Sequence, residues 1–337
     1  MSNKIFRHFQ GDRFVKRSLR HLTLFFFLGV IAFLVVSACG RNIKVGNQAV
    51  TESLPEDCRV VQHAMGETCI PHNPQRIITL RPDHLANSLA LGIEPIASGF
   101  VAGFPFPKDI QNKVGNVDSI GDFSAPNLEK ILQLKPDLIV ANSRSEDIYE
   151  ELLRIAPTVA IDLPFPPPSW KEQLATLAEV LNKEDVNQQL MDDYWQRIDN
   201  IQQALGSQRE ELEVSVANSS SEYGIWAYGE NHFPGEVLND IGLQRPPAQR
   251  GEHFYIENIS KEKLSEIDGD VLFFVSWGRE QDAETHIKLR EDPLWQKLNV
   301  VQNDRVYFVG GYWHDSGSIL AINEILDDIE NYLINSP

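Results

Sequence analysis

From about residue 54 onward, two kinds of apolar pattern alternate along the chain. Short unbroken apolar runs mark strands buried on both faces, and apolar residues recurring every three or four positions mark amphipathic helices. Residues 76–80 (RIITL) read as a strand, 83–91 as a helix closed by Gly92, and 95–98 as the next strand. The pattern continues with a helix over 127–134 that has Pro126 in its opening turn, a strand over 138–140, a helix over 146–155 and a strand over 158–161. Such alternation predicts a parallel sheet with helices on both faces.

The cluster Pro164-Phe165-Pro166-Pro167-Pro168 interrupts any regular element and marks a boundary. Two helices follow it. Ser169 with Glu172 spells a capping box, and Asn182 with Asp185 a looser one. In the second helix apolar residues recur at Val186, Leu190, Tyr194, Ile198, Ile201 and Leu205. A helix over 183–205 would be roughly 35 Å long at 1.5 Å per residue, enough to bridge two lobes. Past Gly206 the alternation resumes, with strands predicted over 213–217, 225–228, 270–275 and 305–309 and a last helix over 318–333. The expected fold class is therefore α/β, with two α/β lobes joined by a single long rigid helix. The expected divisions are an N-terminal lobe over 54–168, linking helices over 169–206 and a C-terminal lobe over 207–337.

The beginning of the chain follows a different rule. The first 38 residues hold six Lys and Arg against one acid, Asp12, and residues 22–36 (LTLFFFLGVIAFLVV) are almost wholly apolar. Fifteen residues are too few to span a bilayer comfortably and suit the core of a signal peptide. Small residues then precede Cys39 in Val36-Ser37-Ala38-Cys39-Gly40, which resembles a bacterial lipoprotein signal with Cys39 as the acylated first residue of the mature chain. Residues 1–38 are thus expected to be a cleaved leader and 39–53, polar and without apolar periodicity, a flexible tether.

Export alters how the other two cysteines read. Cys58 and Cys69 flank two short strand-like runs about a turn, and an oxidising compartment favours a disulfide between them over two free thiols. Charge narrows the partners. The whole chain carries −18, and removing a leader of net +5 takes it to −23. So acidic a chain is a poor match for nucleic acid, which needs a basic face.

Several segments in the order found here resemble the periplasmic substrate-binding lipoproteins that deliver ferric siderophores, haem or cobalamin to ABC importers. They are Pro74-Gln75-Arg76-Ile77-Ile78-Thr79-Leu80, Ala90-Leu91-Gly92-Ile93, residues 127–139 (NLEKILQLKPDLI), Ile155-Ala156-Pro157-Thr158, residues 259–264 (ISKEKL), and Asp292-Pro293-Leu294-Trp295 before Arg305-Val306-Tyr307. The resemblance implies a ligand cleft between the lobes, built on loops that follow strand C-termini. In this chain those loops offer Arg81, Phe123 and Arg144 in the first lobe, and Trp226, Tyr255, Trp277, Arg279 and Trp313 in the second. Aromatic faces suit an apolar siderophore skeleton, and Arg suits its anionic oxygens. The resemblance also implies that Glu129 and Glu262, one per lobe, dock onto a permease that works with an ATPase.

The expected function is capture of a ferric siderophore by a lipid-anchored monomer at the extracytoplasmic face of a bacterial cell membrane, with no resident cofactor and no direct metal site. The alternatives are a haem- or cobalamin-binding protein of the same importer class, with Tyr255 or His253 as a haem ligand, or a scaffold lipoprotein. Catalysis is not expected. His314-Asp315-Ser316 has the residue types of a hydrolase triad, but sequence neighbours rarely converge as one, and no Gly-x-Ser-x-Gly elbow is present.

Overall fold

The computed structural model describes residues 58–100, 114–220, 224–277, 280–314 and 317–335. The leader, the tether, Cys39 and Arg279 lie outside the described residues. Among the described residues no helix is long and apolar enough to cross a membrane.

The chain enters through an antiparallel hairpin, β1 (Cys58–His63) and β2 (Gly66–Pro71), turned at Gly66 with φ of 121°. A disulfide joins Cys58 to Cys69 across it, with Cα atoms 5.6 Å apart. The hairpin is pinned to the first sheet where Ala64 N donates to Ala160 O at 3.0 Å and Thr68 Oγ1 donates to Thr158 O at 2.9 Å.

The first sheet contains β3 (Ile77–Thr79), β4 (Ala97–Phe100), β5 (Asp118–Asp122), β6 (Leu138–Asn142) and β7 (Thr158–Ile161), all parallel in the order β5-β4-β3-β6-β7. Strands β3, β6 and β7 are buried along their whole length, which is why their sequences are mostly apolar rather than alternating. Crossovers are made by helices α1 (Pro82–Ala90), α2 (Leu128–Leu134) and α3 (Glu146–Leu153). Gly92, at φ of 78°, ends the first of these turns as its sequence position suggested. Asn127 is the N-cap of α2, its side chain accepting from Lys130 N, so Pro126 lies just outside the helix rather than in its first turn.

Ser169 and Glu172 form a complete capping box at the start of α4 (Trp170–Leu181). Asn182 does something else. It sits in the left-handed conformation at φ of 56° and closes α4, while Lys183 is the N-cap of α5 (Glu184–Leu205) without a side-chain bond. Helix α5 has 22 residues and buries Tyr194, Ile198, Ile201 and Leu205 along one stripe.

The second sheet has the order β10-β9-β8-β11-β12 and is mixed. Strands β8 (Val214–Ser220), β11 (Val271–Val275) and β12 (Val306–Val309) are parallel, whereas β9 (Gly224–Tyr228) and β10 (Tyr255–Ile259) run antiparallel to their neighbours. The renewed β-α alternation expected here holds only in part. Residues 221–223 are too short a link for a parallel crossover, so β9 must fold back on β8. Helices α6 (Phe233–Ile241) and α7 (Glu280–Arg290) follow, and α8 (Ile319–Ile329) passes into a wider turn over Glu330–Ile334. One apolar cluster runs from Ile70 in the hairpin through Val140, Trp170, Ile198, Val216 and Phe273 to Ile329, so the two sheets and the linking helices share a core.

Candidate functional site

In the first lobe the chain leaves β3 at Leu80 and turns directly into α1, with Arg81 as its N-cap and Pro82 at its start. Arg81 Nε donates to both carboxylate oxygens of Asp83, at 2.8 and 3.2 Å, and its guanidinium lies 5.3 Å from the centroid of the Phe123 ring. Burial works to raise the Asp83 carboxyl, but Arg81 and His84 outweigh it and hold the group below the usual carboxylate range. Burial also dominates at His84, pushing its imidazole down to about 4. Arg81 and Phe123 are thus brought together, with the Arg81 charge balanced by Asp83.

Arg144 has a different task. Its Nε donates to Leu163 O and its Nη2 to Pro164 O, each at 3.2 Å, while Ser143 Oγ accepts from Leu163 N at 2.9 Å. Two nitrogens of the guanidinium fork are engaged by backbone carbonyls of the proline-rich loop. What Arg144 holds in place is the loop that carries Phe165.

The second lobe presents an aromatic and imidazole cluster. Tyr228 OH and His314 Nδ1 are hydrogen-bonded at 3.0 Å, and His232 Nε2 and Tyr255 OH at 3.3 Å. The Tyr255 and His314 rings lie nearly parallel with centroids 6.1 Å apart, and Trp277 meets His314 edge-on at 5.1 Å. Phe254 covers His232 at 4.4 Å. Burial, then the proximity of His314 and Arg245, keeps the His232 imidazole well below its ordinary value and hence neutral. Beneath the cluster the buried Arg245 donates through Nη2 to Tyr228 O and Gln249 Oε1, and burial pushes it down to about 9. Gly229 permits this packing, because a Cβ there would stand 1.9 Å from His253 O.

The other expected residues divide. Trp277 is half-buried and rests on Gly311, where a Cβ would fall 2.3 Å from its ring. Trp226 is half-buried on β9 and packs toward the shared core. Trp313 is a correction. It is 0% exposed, stacked on Phe273 at 4.5 Å, and its Nε1 donates to Asp328 Oδ2 at 2.8 Å, so it is a core residue with no face for a ligand.

Tyr228, His232, Phe254 and His314 complete the cluster, and of these only His232 lies outside the strand-end loops legible in the sequence. For Tyr228 a signal existed, since residues two apart on a strand share a face and Trp226 was already a candidate. His232 and Phe254 sit in a helix cap and a loop, where periodicity carries no information. The first lobe reaches this cluster through Phe165, whose ring meets that of Phe254 edge-on at 5.7 Å.

Glu129 and Glu262 are both exposed. Glu129 lies in the first turn of α2. Glu262 lies in the tight helical turn Lys261–Ile267, where its own backbone N–H and the Ser260 side chain hold its carboxyl low. Among the described residues no group of three or more His, Cys, Asp or Glu is placed to hold a metal ion.

Comparison with known proteins gives consistent relatives. The periplasmic binding protein family matches residues 77–312. The probable siderophore-binding lipoprotein YfiY of Bacillus subtilis (strain 168) is 32% identical over 330 residues, covering 94% of this chain and 99% of that protein. The achromobactin-binding periplasmic protein of Dickeya dadantii is 30% identical over 268 residues, covering 76% and 85%. Among solved structures, Staphylococcus aureus SirA complexed with staphyloferrin B is 27% identical, with a TM-score of 0.70, and covers 82% of this chain and 98% of that one. The match to two thirds of the sequence in one family, and the full-length similarity to YfiY, establish that the chain belongs to the periplasmic binding protein family.

Proposed function

We propose that this protein is an extracytoplasmic binding protein, not an enzyme, that captures a ferric siderophore between its lobes and delivers it to an ABC importer. Three relatives named above for siderophore-related ligands support the ligand class. The observation that carries the reading is the wall of Tyr228, Tyr255, Trp277, His232 and His314 in one lobe, with Arg81 and Phe123 at a strand end in the other. Phenol, imidazole and indole groups combine apolar faces with neutral hydrogen-bonding tips, which suits a chelate with an apolar skeleton and oxygen-rich metal core. Trp226 and Arg279 remain proposed contacts. Lipid attachment through Cys39 would hold the protein at the membrane, with residues 1–38 removed, and Glu129 and Glu262 would meet the permease.

Titration of the purified protein tests the reading. Ferric siderophores should quench tryptophan fluorescence at sub-micromolar concentration, with no Soret shift on adding haem. A Soret shift without siderophore quenching would move the ligand to haem, and silence toward siderophores, haem and cobalamin would refute a transport role in this class.

A further inference from the structure

Phe165 is 70% exposed, yet its ring meets Phe254 of the other lobe edge-on at 5.7 Å. An exposed phenylalanine on a proline-rich loop would ordinarily be free to move. This one is held from behind, because Arg144 donates to the carbonyls of Leu163 and Pro164 and Ser143 Oγ accepts from Leu163 N. The loop follows the C-terminal end of β7, on the side of the sheet where ligands bind in open α/β folds.

The side chains gathered around Phe254 are aromatic or imidazole. Phe254 touches His232 at 4.4 Å, Phe233 at 6.0 Å and Tyr255 at 4.8 Å, and buried His232 is neutral. Two Arg144 nitrogens serve the loop carbonyls, and Arg245 is buried beneath β9 on Tyr228 O and Gln249. A flat ring placed here would gain aromatic edges and faces that a carboxylate cannot use.

We propose that Phe165 is a specificity-determining ligand contact that, with Phe254, receives an aryl arm of the ferric chelate, and that Arg144 is a positioning residue that presents it. This rests on the siderophore-binding reading and deepens it, by selecting chelates that carry a catechol or phenol ring over purely carboxylate ones.

The experiment measures binding of ferric dihydroxybenzoylglycine and of ferric citrate to the parent protein and to four variants, by quenching of tryptophan fluorescence. Phe165→Leu keeps an apolar side chain but removes the ring, and should weaken the aryl chelate about three- to tenfold, the range of one aromatic pair, with under twofold change for citrate. Phe165→Tyr should restore the preference. Arg144→Lys keeps the charge but loses the two-point grip, and should reproduce the Phe165→Leu shift. The double variant Arg144→Lys/Phe165→Leu should lose no more than either single, as expected of two residues acting as one unit. Equal melting temperatures will show that each variant is folded.

Three results would overturn the proposal: equal losses for both chelates in Phe165→Leu, unchanged binding of the aryl chelate, or additive losses in the double variant. Arg144→Lys that binds like the parent would remove the positioning role. If the parent binds neither chelate nor any other ferric siderophore, it is the siderophore reading that fails, and this inference with it.

Discussion

Asn87 in α1 and Ile319 at the start of α8 are joined by a buried hydrogen bond of 3.1 Å, from the Ile319 backbone N–H to Asn87 Oδ1. The same side chain donates through Nδ2 to Gly317 O at 3.0 Å. One amide thus satisfies an otherwise orphaned N–H in the first turn of a helix and a carbonyl just before it, and it does so across the two lobes.

Replacing Asn87 with Ala leaves both backbone groups buried without partners. Asn87→Ala should cost about 2 to 4 kcal/mol, one desolvation penalty for each group, as read from urea unfolding. A cost under about 0.5 kcal/mol, that of an ordinary surface substitution, would mean that the interlobe bonds contribute nothing.

Glu236 makes stability depend on pH. It lies in α6 beside Asp240 and 3.7 Å from Lys171 Nζ, and burial pushes its carboxyl up to about 7 from an ordinary value of 4.5, against the pull of Lys171. In that window the folded chain holds a proton that the unfolded chain has lost. Its contribution to stability therefore falls as pH rises from 4.5 to about 7, by up to about 3 kcal/mol. Glu236→Gln should gain stability over the parent progressively across this range and keep the difference above it. A constant difference at all pH values would contradict the assignment.

Trp313 and Trp277 should separate stability from binding. Trp313→Leu removes a stacked, hydrogen-bonded core ring and should destabilise by about 3 kcal/mol while the folded protein keeps its siderophore affinity. Trp277→Leu should weaken binding with a smaller loss of stability. Melting curves and titrations of both variants check this, and the reverse pattern would exchange their roles.

Glu129 and Glu262 are exposed acids, one on each lobe. Exchanging both for Lys should leave siderophore affinity intact and stop uptake in cells, because the proposed docking carboxylates would then carry the opposite charge. Normal uptake by the double variant would end the docking proposal.

Cys39→Ser should move the protein from the membrane fraction to the soluble one. A variant that still sediments with membranes and retains residues 1–38 would show that the apolar leader, not a lipid, is the anchor.

How far the sequence reaches depends on which physical rule governs each residue. Fully buried parallel strands such as Leu138–Asn142 must be mostly apolar, and the capping box at Ser169 and Glu172 needs only residues three apart. Those features, the 22-residue linking helix and the two-lobe α/β architecture are local rules repeated, and local rules are legible in a string of residues. Asn182 shows the limit of such reading, since Asn serves a helix end as readily as a helix start and only the fold decides which. The reversal of β9 was decided in the same way, by a link too short for a crossover. At the site the residue types were legible and their partners were not. Arg144 and Arg81 look alike in sequence, yet one grips a loop and the other pairs with Asp83 over Phe123. Trp313 and Trp277 both follow strand ends, yet one is sealed under Phe273 and Asp328. Long side chains reach several ångströms in directions that no local pattern encodes, so what each meets there is settled only by tertiary structure, by how the two sheets and the linking helices pack.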